Sequence, residues 1–579
     1  MTETEGGPIK RRLGATRRIW ARPEETAPLP ELPAAQIDEP RPGSTIPRGF
    51  VHLAGWALTP EGPVDRIEIT VNGEFSVRAR LGLTRRDLPK VFAMKSSLLG
   101  GYQCVIDLTD LPESIDEVTI AGTALGRNGE VFDLPPATYP IGDPESETEG
   151  GEGEVQPEVI DPDPERSALL RRRSMANLPA MDPALDPFPA TAGDGPKILA
   201  VTHNIALGGG QLVMLELLER FANEHGMTGS VVAPRDGATR DSLEAAGYAV
   251  HISGEYPVRD VETYEARLAE LVAWAAPQNF DLVLVNTVLS FPGGDLAERL
   301  GLPAIWVVHE SYGLDGFWAT FEKGGLHPYA RERGAESFAK AAAIIFEVEA
   351  TLELFRKSAG DAPLLTLPYG IDIDSHDRQI ADLDLDAVRK EMGYGPDDFV
   401  VLCMGTLEPR KGQVQLVEAF SRVAADHPEA RLVLVGALDN GYDQEVRDAI
   451  DLLGIGDQVD VHAVSPDIAR FYVGSDLLVC ASDIESLPRT VLEAMAFRLP
   501  VMATDVFGLP EVIDDGVNGW IVESRDTAAL ARGLDKVMRI PRDARAAVAE
   551  AARKTVEDEH GSPACAARYA DVIRDTIKR

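Results

Sequence analysis

Apolar and polar positions change their period several times along this chain, and each change marks a boundary. Up to about residue 46, Pro, Glu and Arg crowd out any apolar repeat, which predicts a disordered tail over residues 1–46. From Phe50 to Leu134 the period is two. Ile67, Ile69 and Val71 alternate with polar neighbours and run into Asn72-Gly73, a type I′ hairpin signal. Val118 and Ile120 repeat the alternation, and Asn128-Gly129 supplies a second such turn. This predicts a small all-β module over residues 47–142, expected to be a sandwich. The period then vanishes again. Residues 143–195 interleave carboxylates with Gly and Pro, pass through Arg171-Arg-Arg173 and end Pro-rich, as an acidic flexible linker would.

From Lys197 short apolar runs alternate with amphipathic stretches. Ile198-Leu-Ala-Val-Thr202 leads through Gly208-Gly-Gly210 into an amphipathic segment, and residues 281–285, 304–308 and 342–346 read as further buried strands. The pattern restarts at Phe399-Val-Val-Leu-Cys403 and continues through residues 431–435, 459–461 and 477–480. Strands alternating with helices predict an α/β fold of two Rossmann-like lobes with parallel sheets, divided here at 196–372 and 373–579. Ligands of such sheets bind outside the carboxyl ends of the strands, so the loops leaving those ends are where chemistry is sought.

Composition narrows the function. A chain of 579 residues, 44% hydrophobic and 26% charged, is a multi-domain globular protein. Its net charge of −38 argues against nucleic acid as a partner. Cys104, Cys403, Cys480 and Cys565 lack metal spacing and read as thiols of a reducing compartment. No apolar stretch reaches the roughly 20 residues of a membrane span, so a cytoplasmic location is expected. Lys10-Arg-Arg12 and the basic residues at 17–22 read first as a solvated tail, with peripheral contact to an anionic membrane as the alternative.

The strongest chemical signal follows the run Asp476-Leu-Leu-Val-Cys-Ala-Ser482, in Glu485-Ser-Leu-Pro-Arg-Thr-Val-Leu-Glu493. It reads as strand, short loop and a helix with Ser486 and Pro488 in its first turn. Glu485 would sit at the helix mouth and Glu493 one to two turns inside, on the order of 10 Å apart. Such a pair can grip two diols of one long ligand, with the helix N-terminus attracting phosphate between them. Ser486 and Leu487 are expected to border that ligand. Arg410 and Lys411, in the loop Gly405-Thr-Leu-Glu-Pro-Arg-Lys-Gly412, sit at the same sheet edge and suit a diphosphate. Gly209 and Gly210 allow close backbone approach or simply a tight turn, and His309 leaves the end of strand 304–308 toward the cleft.

On these residues the chain resembles the family 4 glycosyltransferases of the GT-B fold. The matching stretches are Gly405 to Gly412, Glu485 to Glu493 with Ala494-Met-Ala496, Gly508-Leu-Pro-Glu511 and Asn518-Gly519, and Pro368-Tyr-Gly-Ile-Asp372 resembles the hinge. The resemblance implies a retaining transfer from a nucleotide-sugar donor. By that likeness Glu485 contacts donor sugar hydroxyls, Glu493 the ribose, and Arg410 and Lys411 the diphosphate. His309 would face the reacting sugar as a catalytic residue with Glu485, and Gly209 and Gly210 would border donor phosphates or acceptor. Two positions depart from the family: Thr406 stands where many relatives carry Arg, and Tyr369 where Asn is usual. A weaker likeness, to sandwich modules of some bacterial glycosyltransferases, rests on Gly55-Trp-Ala57 and Arg86-Asp87.

The expected function is transfer of a sugar to a glycan or lipid-linked acceptor, in cell-surface polysaccharide or glycoconjugate synthesis. The rivals are a nucleotide-sugar epimerase or phosphorylase on the same fold, and a non-catalytic glycan-binding scaffold. No cofactor or metal is expected, because Arg410, Lys411 and a helix N-terminus already offer the diphosphate positive partners. Asp372-Ile-Asp374 imitates a metal-binding triplet but lies at the hinge. The β module, on a linker spanning on the order of 40 Å, is expected to serve acceptor or partner, so that a chain starting near Gly195 folds and binds nucleotide alone.

Overall fold

The structure, a computed structural model, describes residues 32–142 and 195–578, apart from residues 86, 93, 95–97, 110, 207, 324 and 439. The basic patch at 10–22 and the acidic segment 143–194 lie outside the described residues.

The first body is a two-sheet β module. One sheet orders β1 (Ala34–Glu39), β2 (Phe50–Thr59), β7 (Gly101–Asp107) and β6 (Arg80–Leu83), with β3 (Gly62–Pro63) on β2. The other orders β5 (Phe75–Arg78), β4 (Arg66–Val71), β8 (Glu117–Leu125) and β9 (Val131–Pro140). Ile67, Ile69, Val71, Val118 and Ile120 all point into the core between the sheets, as their alternation predicts. Asn72 and Gly73 both take positive φ, and the Glu74 amide donates to the Val71 carbonyl at 3.0 Å, closing the type I′ turn. Asn128-Gly129 differs: only Gly129 is left-handed, within a longer connection from Gly126 to Glu130. The module also starts earlier than residue 47. β1 pairs antiparallel with β2 and buries Ile37. Prolines flank this edge strand, where a missing ladder donor is tolerated, and their density hides it in the sequence.

Two parallel sheets follow. The first orders β12 (Tyr248–Ile252), β11 (Thr228–Ala233), β10 (Lys197–Thr202), β13 (Leu282–Asn286), β14 (Ala304–Val308), β15 (Ala343–Phe346) and β16 (Leu364–Thr366). The second orders β19 (Val459–Ala463), β18 (Ala430–Ala437), β17 (Phe399–Met404), β20 (Leu477–Cys480), β21 (Val501–Thr504) and β22 (Trp520–Val522). In each, chain order reverses beside the first strand, between β10 and β13 and between β17 and β20. Those crevices are where doubly wound sheets take ligands. One apolar cluster runs from the first sheet through Tyr369 and Ile371 into the second, so the lobes share a core at the hinge. The helix Ser562–Lys578 does not stay with the second lobe. It packs on the first-lobe helix Gly209–His225, and Arg574 meets His225 at 3.2 Å.

The β module is not loosely tethered, contrary to what its linker suggests. Its arginines meet carboxylates of the second lobe: Arg80 with Asp483 at 2.7 Å, Arg78 with Glu523 at 2.5 Å and Arg127 with Glu418. The opposite polarity also occurs, where Asp65 accepts from Arg422 at 2.5 Å. The Gln415 side-chain amide also donates to the Leu81 carbonyl, and Leu99 joins the second lobe's core. Composition of the linker reports its own stiffness and nothing about the surfaces at its ends.

Candidate functional site

The loops after β10, β13, β14, β17 and β20 bring the sequence-predicted residues to the crevices between the lobes. On the second lobe, Pro409–Lys411 forms a single 3₁₀ turn that places Arg410 and Lys411 beside the loop after β20. Glu485 is their shared partner. Its carboxylate accepts from Lys411, from Arg410 at 3.2 Å and from the Ser482 hydroxyl at 3.2 Å. Burial pushes this carboxyl up, but Lys411 and Arg410 outweigh burial and hold it below its ordinary range, so it is ionised. Arg410 also pairs with Glu408 at 2.6 Å and donates to the Ile484 carbonyl at 3.2 Å. Thus two cations and two carboxylates form one compact cluster.

Glu493 is held separately. It accepts from the Tyr472 hydroxyl at 2.8 Å and from Arg489 at 2.7 Å, and it is only 5% exposed. Arg489 also reaches across to Glu216 of the first lobe in two bonds of 2.9 and 2.6 Å. The helix carrying Glu493 spans Arg489–Ala496, with Pro488 at its N-cap in extended conformation. Ser486 therefore lies in the preceding loop, outside the first turn where the sequence reading puts it. The Gly508 amide holds that loop by donating to the Ser486 carbonyl at 3.2 Å. A Cβ on Gly508 would sit 2.4 Å from this oxygen and 2.6 Å from Val348 of the first lobe. The buried Ser486 hydroxyl has no hydrogen-bond partner among the described residues. Leu487 turns its side chain into the interlobe core and gives its carbonyl to the Tyr369 hydroxyl at 2.7 Å. The family departure at Tyr369 thus has a structural meaning: the hinge is bonded to the loop between the glutamates.

On the first lobe, His309 sits between two acceptors, Glu347 at 2.5 Å on Nδ1 and Asn286 at 2.9 Å on Nε2. Burial works against its charge, but the Glu347 carboxylate outweighs burial and raises its pKa. Gly210 packs against the ring, where a Cβ would lie 3.0 Å from His309 Cδ2, while one on Gly209 would meet only open space. The helix Gly209–His225 opens from Gly208 without a side-chain cap. His203, bonded to Thr287 and Gln211 at 3.0 Å, is pushed down to about 4 by burial and by His309, so it stays neutral. The two half-sites converge on Tyr369. Burial first, then the Glu347, Glu493 and Glu485 charges, raises its phenol well above its ordinary pKa, and Arg489 opposes them.

Sequence reading did not find Glu347, Asn286, Arg489, Tyr472 or Asp483. Glu347 and Asn286 each follow or end a buried strand at the same sheet edge as His309, and that placement is the signal that could have found them. Asp372 is the N-cap of the helix Ile373–Ala381 and lies 3.4 Å from Arg220, so the hinge triplet has local structural duties. Among the described residues, no cluster of His, Cys, Asp and Glu suits a metal ion.

The profile described as Glycosyltransferase Family 4 matches residues 207–375, and the one described as Glycosyl transferases group 1 matches residues 386–555. A D-inositol 3-phosphate glycosyltransferase of Streptosporangium roseum is 30% identical over 315 residues, covering 51% of this chain and 69% of the relative. The chain belongs to this glycosyltransferase family. EpsD of Bacillus subtilis is also 30% identical, over 30% of this chain and 45% of its own length. The chain thus spans from under half to about two thirds of the length of these relatives. Among solved structures, Anabaena HepE in complex with UDP-glucose superposes with a TM-score of 0.56 at 21% identity. That alignment covers 66% of this chain and all of HepE, which fixes the fold as GT-B. The two family profiles lie on the two lobes, and the β module falls outside both.

Proposed function

We propose that this family member is a retaining glycosyltransferase that takes a sugar from a nucleotide-sugar and attaches it to a glycan or lipid-linked acceptor. The setting would be polysaccharide or glycoconjugate synthesis in the cytoplasm, with peripheral contact to the inner face of a membrane as the alternative. The observation that carries the reading is the cluster of Glu485, Arg410 and Lys411 at the second lobe's switch point. A donor diphosphate is a stronger partner for the two cations than one carboxylate, since it offers more charge and more acceptor oxygens. Once it displaces Glu485 from them, that carboxylate is freed to accept from sugar hydroxyls. Arg410 and Lys411 then stabilise the negative charge that grows as the bond from the anomeric carbon to the diphosphate breaks. The acceptor oxygen bonds to that carbon from the same face, and its proton leaves with the nucleoside diphosphate.

The protonated His309 contributes positive charge from the opposite lobe, held in place by Glu347. Glu493 keeps the ribose role that its family position implies, in exchange for its bond to Tyr472 or Arg489. No metal is assigned to the reaction. The UDP-glucose complex of HepE supports a uridine nucleotide-sugar as the first donor to try. Titrating UDP-, GDP- and ADP-sugars while following the melting temperature tests the reading, because native-state binding raises it. The proposal expects one base series to stabilise the protein and the product with acceptor to keep the donor's anomeric configuration. Donor altered without any acceptor would mark an epimerase, and no stabilisation by any nucleotide would mark a scaffold.

A further inference from the structure

We propose that Arg80 of the β module is a positioning residue of the cleft: by holding Asp483 it fixes the loop that presents Glu485. The inference rests on the donor-site reading of Glu485 for its functional meaning, but on geometry for its substance. Asp483 lies two residues before Glu485 in the loop after β20 and is only 2% exposed. One carboxylate oxygen accepts from Arg80 Nε at 2.7 Å, and Arg80 is itself buried. The other oxygen lies 3.9 Å from the Arg525 guanidinium, which in turn donates to the Arg78 carbonyl at 2.7 Å. The module and the second lobe therefore clamp one carboxylate from two sides.

The clamp reaches the cleft through the backbone. The Asp483 amide donates to the Arg410 carbonyl at 2.8 Å, and Ser482, its chain neighbour, bonds Glu485 through its hydroxyl. Thr504 holds the Ser482 carbonyl at 2.6 Å. Asp483 thus joins the two loops that carry Arg410, Lys411 and Glu485. A buried carboxylate stripped of its cation seeks water or another partner, and the backbone bond of this residue passes such a shift to the loop. The rest of the interface is different in kind. Arg127–Glu418 and Asp65–Arg422 tie the module to the helix Gln413–Val423 and do not touch the loop at 481–488. One face of the module therefore docks, and among its described arginines Arg80 is the one whose side chain pairs with the cleft's own loop.

Hydrogen–deuterium exchange on the full chain tests this without any ligand, comparing wild type with Arg80→Met, Asp483→Asn and, as an interface control, Arg127→Met. Arg80→Met and Asp483→Asn should each speed exchange over residues 482–488 by about tenfold or more, while Arg127→Met leaves it within about twofold. Unchanged exchange in both loop variants, or equal acceleration in Arg127→Met, overturns the proposal. Calorimetry with UDP-glucose and UDP then asks for the consequence. Arg80→Met should weaken UDP-glucose about tenfold and UDP less than about threefold. Equal weakening of both, or of neither, contradicts a role in presenting Glu485. Should wild type bind no nucleotide-sugar, the donor reading fails while the exchange result still decides what Arg80 does.

Discussion

The two halves of the cleft are built on opposite principles. The first lobe's half is a closed hydrogen-bonded set: His309 is spoken for on both nitrogens, by Glu347 and Asn286, and Gly210 presses on its ring. The second lobe's half is an ion cluster whose cations are held by the Glu485 and Glu408 carboxylates and, for Arg410, by the Ile484 carbonyl. A fixed imidazolium suits orientation and constant positive charge. An exchangeable ion cluster suits a ligand that arrives carrying its own charge. The contrast teaches that only the second half has to rearrange when an anionic donor binds, and its position then depends on whatever braces it from behind.

The brace gives the largest expected effect. Deleting the β module uncovers Asp483, Glu418 and Arg422 and takes a charged partner from each. A chain beginning near residue 195 should therefore lose about 5 kcal/mol or more, seen as a fall in Tm of about 10 °C or as insolubility. A truncated protein as stable as the full chain would show the interface to be dispensable.

On the first-lobe side the next largest effect is expected from Glu347→Gln. It removes the charge that holds His309 protonated, and about 100-fold should be lost from kcat with KM nearly unchanged. A change mainly in KM would mean that this half binds ground-state substrate and is not reserved for the transition state.

His560, buried behind the hinge, is pushed down to about 4 by burial. Its folded pKa lies below its unfolded one, so between about pH 6.5 and 4 the unfolded chain binds the extra proton and stability falls as pH falls. The share of this group should be about 2 kcal/mol between pH 7 and pH 5, and His560→Gln should flatten the denaturation profile in that window. An unaltered profile would place the acid sensitivity elsewhere. The smallest effect is expected from chelation: EDTA should change the rate by less than about twofold, since cationic side chains serve the diphosphate. Loss of activity restored by manganese would contradict that.

The second-lobe half was largely legible in the chain because its parts are short-range. Arg410 and Lys411 share one loop, and Glu485 and Glu493 flank one strand-to-helix connection, so spacing alone places them at the sheet edge. The first-lobe half was not, because Asn286, His309 and Glu347 come from the ends of three different strands and meet only through the sheet. The same holds for the module. Ile67, Ile69 and Val71 announce a strand by their alternation. Nothing local says that Arg80, some 400 residues from Asp483, will be buried against it. β1 escaped notice because an edge strand between prolines carries no strong apolar period.

Donor binding turns on the exchange of partners at Glu485, and calorimetry of Glu485→Gln measures it directly. The variant should bind the free nucleoside diphosphate at least as tightly as wild type, because Arg410 and Lys411 no longer have to leave a carboxylate. The same variant should lose about tenfold or more in affinity for the nucleotide-sugar relative to the diphosphate, because the sugar hydroxyls lose their acceptor. Parallel weakening of both ligands would contradict the account, since Glu485 would then be part of the diphosphate site instead of its gate.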